Sequence, residues 1–158
     1  YIKNKGEYMH TRANIYNLIE DLEFSILSCI LIKPELMEKV ILEDKHFKRT
    51  QRMWQFMKAF YKKFKTFDIH LMYSMCKDKW QIVEWYDLLL QIEPTYCMFD
   101  TYQKQLLELY EELDKDKYII EKVYPLANEL LLRNISTNEF KEKIDEIYKN
   151  TDEAFKEK

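Results

Sequence analysis

The sequence predicts an all-α fold, and its turn residues and apolar spacing are the two observations behind this prediction. The 158 residues include one glycine and three prolines, although sheet proteins need turn residues every few positions. Apolar residues recur three or four positions apart over long stretches, which is the period of a helix. We therefore expect a compact helical head at residues 14–97 and, in the same domain, an extended antiparallel helical hairpin at 98–158.

Five helices are predicted in the head. Residues 1–13 carry little pattern and are expected to be a leader or flexible arm. The first helix begins at Asn14 and ends at Lys33, because Pro34 disfavours a helical conformation in the residue before it. Pro34 is then suited to the first position of a short second helix. The other predicted helices cover residues 34–42, 47–64, 69–77 with Asp68 as N-cap, and 80–92, which stops before Pro94.

The hairpin is predicted to contain one long helix at 101–132, bent at Pro125, and a final helix that begins near Ser136. Ser136 and Glu139 form the S-x-x-E pattern of a capping box. Two helices cannot bury apolar stripes on both by packing only against each other. We therefore expect a partner protein to cover part of the hairpin; the alternative is that the hairpin folds back on the head.

The composition excludes several functions. One glycine cannot supply the phosphate-binding loops of nucleotide sites, so no ATPase site of that kind and no cofactor are expected. Three widely spaced cysteines favour reduced thiols in the cytoplasm, and neither they nor the histidines have the spacing of a zinc site. The longest apolar run, residues 26–32, is too short to cross a membrane.

Charge and acidic clusters give no positive indication of nucleic-acid binding or catalysis. The net charge is −3 with both signs interspersed, so we expect no direct nucleic-acid binding by this domain. The basic and aromatic segment 48–65 has the side chains that stack on a single strand, but its aromatics recur at helical spacing and favour a core face with solvated lysines opposite. Acidic groups near residues 20–23 and 108–114 lack the E-x-x-H pairs of a di-metal site, so catalysis is not expected.

Several short motifs occur in a fixed order along the chain. Residues 21–31 read D-L-E-F-S-I-L-S-C-I-L, residues 46–47 H-F, and residues 66–68 T-F-D. The long helix has Tyr102 at its start and A-N-E-L at 127–130, and the last helix carries the pattern from Phe140 to Tyr148. In this order, these motifs resemble the N-terminal domain of DnaB-family replicative DNA helicases over residues 14–155.

The resemblance has departures. Ser28 stands where the family has a glycine, and Val83-Glu84 stands in the region of the family's Gly-Gly. The connecting helix and the ATPase domain of the family have no counterpart in this sequence. We therefore expect the chain to be either a fragment of a helicase or a free-standing relative of the domain.

The resemblance implies a non-catalytic domain that self-associates through its hairpin and docks primase or a helicase loader during DNA replication. The residues expected to anchor these contacts are Tyr102, Leu106, Tyr110, Phe140, Ile144, Ile147 and Tyr148. One alternative is the C-terminal helicase-binding domain of primase, which is similar in fold; the capping box and residues 127–129 favour the helicase side. Another is a free-standing mobile-element protein that mimics the helicase domain and regulates the host helicase.

Overall fold

The computed structural model describes residues 11–76, 78–92 and 98–156, and every regular element within these ranges is helical. The all-α prediction is therefore confirmed. Residues 1–10 of the predicted 1–13 leader lie outside the described residues, whereas residues 12–13 belong to the first helix. The helix predicted at 69–77 ends earlier, at Met75, and the helix predicted at 80–92 ends at Gln91, before Pro94 as expected. In chain order the elements are α1 (Arg12–Ile32), a first 3₁₀ helix (Pro34–Lys39), a second 3₁₀ helix (Asp44–His46), α2 (Gln51–Phe64), α3 (Ile69–Met75), α4 (Lys79–Gln91), α5 (Phe99–Leu131) and α6 (Thr137–Ala154).

The chain divides into two compact units, residues 1–109 and 110–158. The division falls inside α5, whereas the sequence suggested a change of organisation at 97–98. Helices α1 to α4 and both 3₁₀ helices belong to the first unit, and α6 belongs to the second. The arrangement of a head followed by a hairpin stays a prediction.

Helix α1 begins before the position that the apolar pattern indicated. The Thr11 side chain accepts a hydrogen bond from the Asn14 N–H at 3.1 Å, which makes Thr11 the N-cap. Helix α1 therefore starts at Arg12 rather than at Asn14. Its end at Ile32, directly before Lys33 and Pro34, agrees with the sequence.

The predicted α-helix at 34–42 is wrong in type and length. Pro34 does occupy the first position, but the helix is a 3₁₀ helix that ends at Lys39. The chain beyond it is held extended by Gln103, whose Oε1 accepts from the Ile41 N–H at 2.7 Å and whose Nε2 donates to the Lys39 carbonyl at 3.2 Å. Gln103 is fully buried. Its side chain on α5 provides these two backbone groups with the hydrogen-bond partners that they would otherwise have in a continued helix.

The predicted helix at 47–64 is also shorter than expected. Residues 44–46 form a separate 3₁₀ helix, Phe47 ends it, and α2 begins only at Gln51. The buried Glu23 carboxylate of α1 accepts hydrogen bonds from the N–H groups of Arg49 and Thr50 at this point. The Thr50 side chain, at the N-cap position, makes no cap hydrogen bond of its own. The Glu23 side chain of α1 instead accepts hydrogen bonds from backbone N–H groups at the N-terminus of α2.

The core of the first unit lies around the C-terminal half of α1, which contacts α4 and the first 3₁₀ helix. Ile26, Leu27 and Ile30 are fully buried there. The hydroxyl of buried Ser28 donates to the Leu89 carbonyl at 2.7 Å and lies 3.3 Å from the Ile92 carbonyl. Ser28 therefore gives the Leu89 carbonyl, at the C-terminal end of α4, a second donor besides the Ile92 N–H, which lies 3.3 Å from the same oxygen.

Helix α6 and the turn before it are built by local signals. Ser136 and Glu139 form the predicted capping box, with the Glu139 N–H bound to the Ser136 hydroxyl oxygen at 3.1 Å. Helix α5 continues through Pro125 and ends at Leu131. The chain then turns through Arg133, whose φ is 62°. The Asn134 N–H binds the Glu129 carbonyl and the Arg133 N–H binds the Leu130 carbonyl, which together make a Schellman motif.

Candidate protein-interaction surface

The interface residues predicted on α5 are mostly inside the chain. Leu106 is 0 % exposed, Tyr110 is buried, and Tyr102 is half-buried. A side chain with no accessible surface cannot contact a partner unless the domain opens. Their role as interface anchors stays a prediction, and the present structure places Leu106 and Tyr110 in the core.

The predicted residues on α6 share one face with Phe155. Phe140, Ile144 and Ile147 recur at helical spacing toward Phe155 and are half-buried. Phe155 contacts α5, because its ring meets the Tyr118 ring edge-on with centroids 6.1 Å apart. We infer from the spacing that Phe140, Ile144 and Ile147 lie on the α5-facing side of α6, while Tyr148, at the flank of that face, is exposed over half its surface.

The C-terminal half of α5 exposes a second apolar face that the prediction did not single out. We define the α5 apolar face as Ile120, Tyr124, Ala127 and Leu131. Tyr124 is 75 % exposed and Leu131 is 78 % exposed, and Ile120 is also more than half exposed. Large apolar side chains at this exposure are normal when scattered, but here they follow one another along a single helix.

The spacing within this face is that of a helix-pairing seam. The four residues are separated by four, three and four positions, which is the a/d pattern of a coiled coil. The seam also points away from α6. Tyr118, which contacts Phe155, lies about 160° around α5 from Ile120, since each residue turns the helix by about 100°.

The opposite, α6-facing side of α5 is already occupied within the second unit. The Lys115 ammonium lies 5.7 Å from the centre of the Phe155 ring and 3.8 Å from the Glu111 carboxylate. These contacts involve the side of α5 that carries Glu111, Lys115 and Tyr118, and none of them involves the α5 apolar face. The sequence contained this signal, because Ile120, Ala127 and Leu131 recur at helical spacing, but the spacing did not show which residues stay exposed.

The titratable side chains of the described residues form no metal site. No group of three or more His, Cys, Asp or Glu side chains is placed to hold a metal ion in residues 11–76, 78–92 and 98–156. Burial raises the pKa of the Cys29 thiol to about 11, and a thiol of that pKa is a poor nucleophile at neutral pH. Asp44 accepts from Lys58 and from the Trp54 indole N–H at 2.8 Å, and these hydrogen bonds lower the pKa of its carboxyl.

Within the same ranges, none of the helices has the length and apolar content needed to cross a membrane. Comparison with known proteins gives no further assignment: no family model matches the sequence, and no curated protein and no solved structure matches the chain.

Proposed function

We propose that this chain is a non-catalytic docking domain of a replicative-helicase assembly, and that it associates with a second copy of itself through the α5 apolar face. The segment order and motifs that resemble the DnaB-family N-terminal domain support the first part. The exposed seam of Ile120, Tyr124, Ala127 and Leu131 is the observation that carries the second part.

A second copy fits this face because of the shape and spacing of its side chains. The four-three-four spacing is matched by another helix of the same pattern, and Ala127 lets two helix backbones approach closely between the larger side chains. The same patch on both copies gives a two-fold, self-complementary contact, which is the commonest geometry of soluble oligomers. Tyr124 would be its largest anchor, since tyrosine buries a large area at low entropic cost.

The self-association is tested by sedimentation equilibrium on the 158-residue chain and on the double variant Tyr124→Ser, Leu131→Ser. We expect the unaltered chain to be dimeric or larger at micromolar concentrations and the variant to be monomeric. Leu132→Ser is the matched control, because Leu132 is 62 % exposed and adjacent to Leu131 but lies off the seam. A monomeric unaltered chain, or equal loss of association in the control, would refute self-association through this face.

Docking to the replication machinery is tested separately by calorimetry. The chain is titrated against the helicase-interacting domain of primase and against a helicase N-terminal domain from the same cell. Binding to primase that Tyr148→Ala weakens, with the fold unchanged by circular dichroism, supports the helicase-type docking role. Binding only to the helicase domain instead supports the primase-like module or the regulator that mimics the helicase domain. No binding to either at micromolar concentrations ends the docking proposal.

A further inference from the structure

Positive charge is concentrated in one segment of the first unit. Residues 45–65 carry eight Lys or Arg and no Asp or Glu, although the whole chain has 25 Lys or Arg and 28 Asp or Glu. All eight of these basic side chains are exposed. The expectation of no nucleic-acid binding came from the net charge of −3, but binding depends on the local surface and not on the average over the chain.

The fold aligns part of this charge along the outer side of α2. We define the α2 outer face as Arg52, Gln55, Ala59 and Lys62, with Lys65 at its end. The first four residues are spaced three, four and three positions apart, so they follow one line along the helix. The opposite side of α2 is buried through Met53, Trp54, Met57, Phe60 and Tyr61.

Two shallow depressions adjoin this face and share Gln55. One of about 530 Å³ is lined by Lys58, Ala59, Lys62 and Lys65, with Met37 and Glu38 of the first 3₁₀ helix on its other side. The second, of about 370 Å³, is lined by Arg52, by the half-buried rings of Phe56 and Trp85, and also by Asp78, whose carboxylate accepts from the Gln81 N–H at 3.1 Å. Together they make a track that runs along most of α2, roughly 20 Å at 1.5 Å per residue.

Most of the charge on the track is not neutralised by the chain itself. Among the described residues, Arg52 and Lys62 have no carboxylate within ion-pair distance. Lys65 lies 3.9 Å from Glu38 in a pair whose side chains are both largely exposed, and such a pair is weak in water. Lys58 is the exception, because Asp44 holds its ammonium at 2.7 Å.

The side chains of the track favour a nucleic acid over an acidic protein. A protein interface needs apolar anchors at its centre, and the middle of this face consists of Gln55, Ala59 and Lys62. A phosphate backbone needs only exposed cations and room to approach, and the small Ala59 provides that room. The Phe56 and Trp85 rings at one end are side chains on which unpaired bases stack.

From these observations we propose that the α2 outer face binds single-stranded nucleic acid through its phosphate backbone, without sequence specificity. Arg52, Lys62 and Lys65 each neutralise a phosphate, and bases at the Arg52 end lie against Phe56 and Trp85. This site lies in the first unit and is independent of the α5 apolar face. A negative result for nucleic-acid binding would therefore not contradict the proposed self-association.

The test is fluorescence anisotropy of a labelled oligothymidylate of about 16 nucleotides, titrated with the full chain between about 50 and 200 mM salt. Three phosphate contacts predict that log K falls with log salt with a slope of about −2. Arg52→Gln with Lys62→Gln removes two of the three contacts. We expect this variant to bind more than about tenfold more weakly at low salt, with a slope of about −0.7.

The control is Lys117→Gln with Lys141→Gln, which removes the same charge from exposed positions on α5 and α6. It is expected to keep the affinity and the slope. Equal weakening in the control, or no binding up to about 100 µM protein at low salt, would overturn the proposal. Equal affinity for a duplex would overturn the assignment to single strands, and binding of poly-glutamate as tight as that of the oligonucleotide would point to an acidic protein instead. Thermal unfolding by circular dichroism shows whether each variant is folded.

Discussion

The carboxylate of Glu23 caps the start of α2 by binding Thr50 twice. Its Oε1 accepts from the Thr50 N–H at 3.1 Å and from the Thr50 hydroxyl at 2.9 Å, and also from the Arg49 N–H at 3.0 Å. Glu23 and Thr50 are both buried, so water cannot replace these bonds.

Glu23→Ala is expected to lower the free energy of unfolding by about 3 kcal/mol, because it leaves buried donors without an acceptor. Glu23→Gln is expected to cost less, about 1 to 2 kcal/mol, since the amide oxygen still accepts. Urea unfolding followed by circular dichroism measures both. Glu20→Ala, at an exposed position of α1, is the control, and an equal loss in Glu20→Ala would contradict the capping role.

The Ser28 hydroxyl links α1 to the C-terminal end of α4 through a hydrogen bond. Ser28→Ala is expected to lower the free energy of unfolding by about 1 kcal/mol, because the Leu89 carbonyl loses the shorter of its two hydrogen bonds and keeps only the one from the Ile92 N–H. Ser28→Gly is expected to cost about 1 kcal/mol more than Ser28→Ala, because glycine has a lower helix propensity. Urea unfolding of both variants checks this, and an alanine variant as stable as the parent would show that the Ser28 hydroxyl contributes nothing.

The features that could be predicted from the sequence are those set by neighbouring residues. The Asp68 cap of α3, the Ser136 capping box and the Pro34 start all depend on groups within four positions, and all three are present. The end of α1 and the helical period of α5 are of the same kind.

The features that could not be predicted depend on partners far along the chain. The segment after Lys39 is extended because Gln103 binds it across more than 60 positions, and α2 begins where Glu23 meets Thr50. Which residues of α5 are exposed also depends on contacts with distant parts of the chain. Leu106 and Leu131 are both apolar residues at helical spacing along α5, but only the fold makes Leu106 buried and Leu131 exposed.

Arg133 has a positive φ at the end of α5, in a position that glycine adopts without strain. Arg133→Gly is expected to raise the free energy of unfolding by about 0.5 to 1 kcal/mol, as the relief of strain exceeds the added freedom of the unfolded chain. Arg133→Ala keeps the Cβ and is expected to give no such gain. Thermal unfolding of the two variants distinguishes backbone strain from an effect of the arginine side chain. An equal gain in stability in both variants would mean that the side chain, and not the backbone conformation, destabilises the parent.

Cys29 and Cys76 differ in burial, and their reactivity should differ accordingly. Cys29 is buried and has a pKa of about 11, whereas Cys76 is half-exposed. In a Cys97→Ser background, iodoacetamide at about pH 8 is expected to label Cys76 readily and Cys29 only after unfolding. Mass spectrometry of tryptic peptides gives the site of labelling. Rapid labelling of Cys29 in the folded chain would contradict its placement in the core.

Asp44 should make stability depend on pH in the acidic range. Its hydrogen bonds to Lys58 and Trp54 lower the pKa of the carboxyl in the folded chain, so folding favours the ionised form. Its contribution is therefore complete above the unfolded pKa of about 3.9 and is lost as the pH falls through the lower folded value. Asp44→Asn is expected to melt below the parent at about pH 7, and the two melting curves should converge below about pH 4.

Asp87→Asn, on an exposed position of α4, is the control for removing one carboxylate. Lys58→Met removes the principal partner of Asp44 and should abolish most of the effect of Asp44→Asn, because the two charges act together. If the gap between the parent and Asp44→Asn instead stays constant from about pH 7 to about pH 2.5, the carboxylate charge does not stabilise the fold.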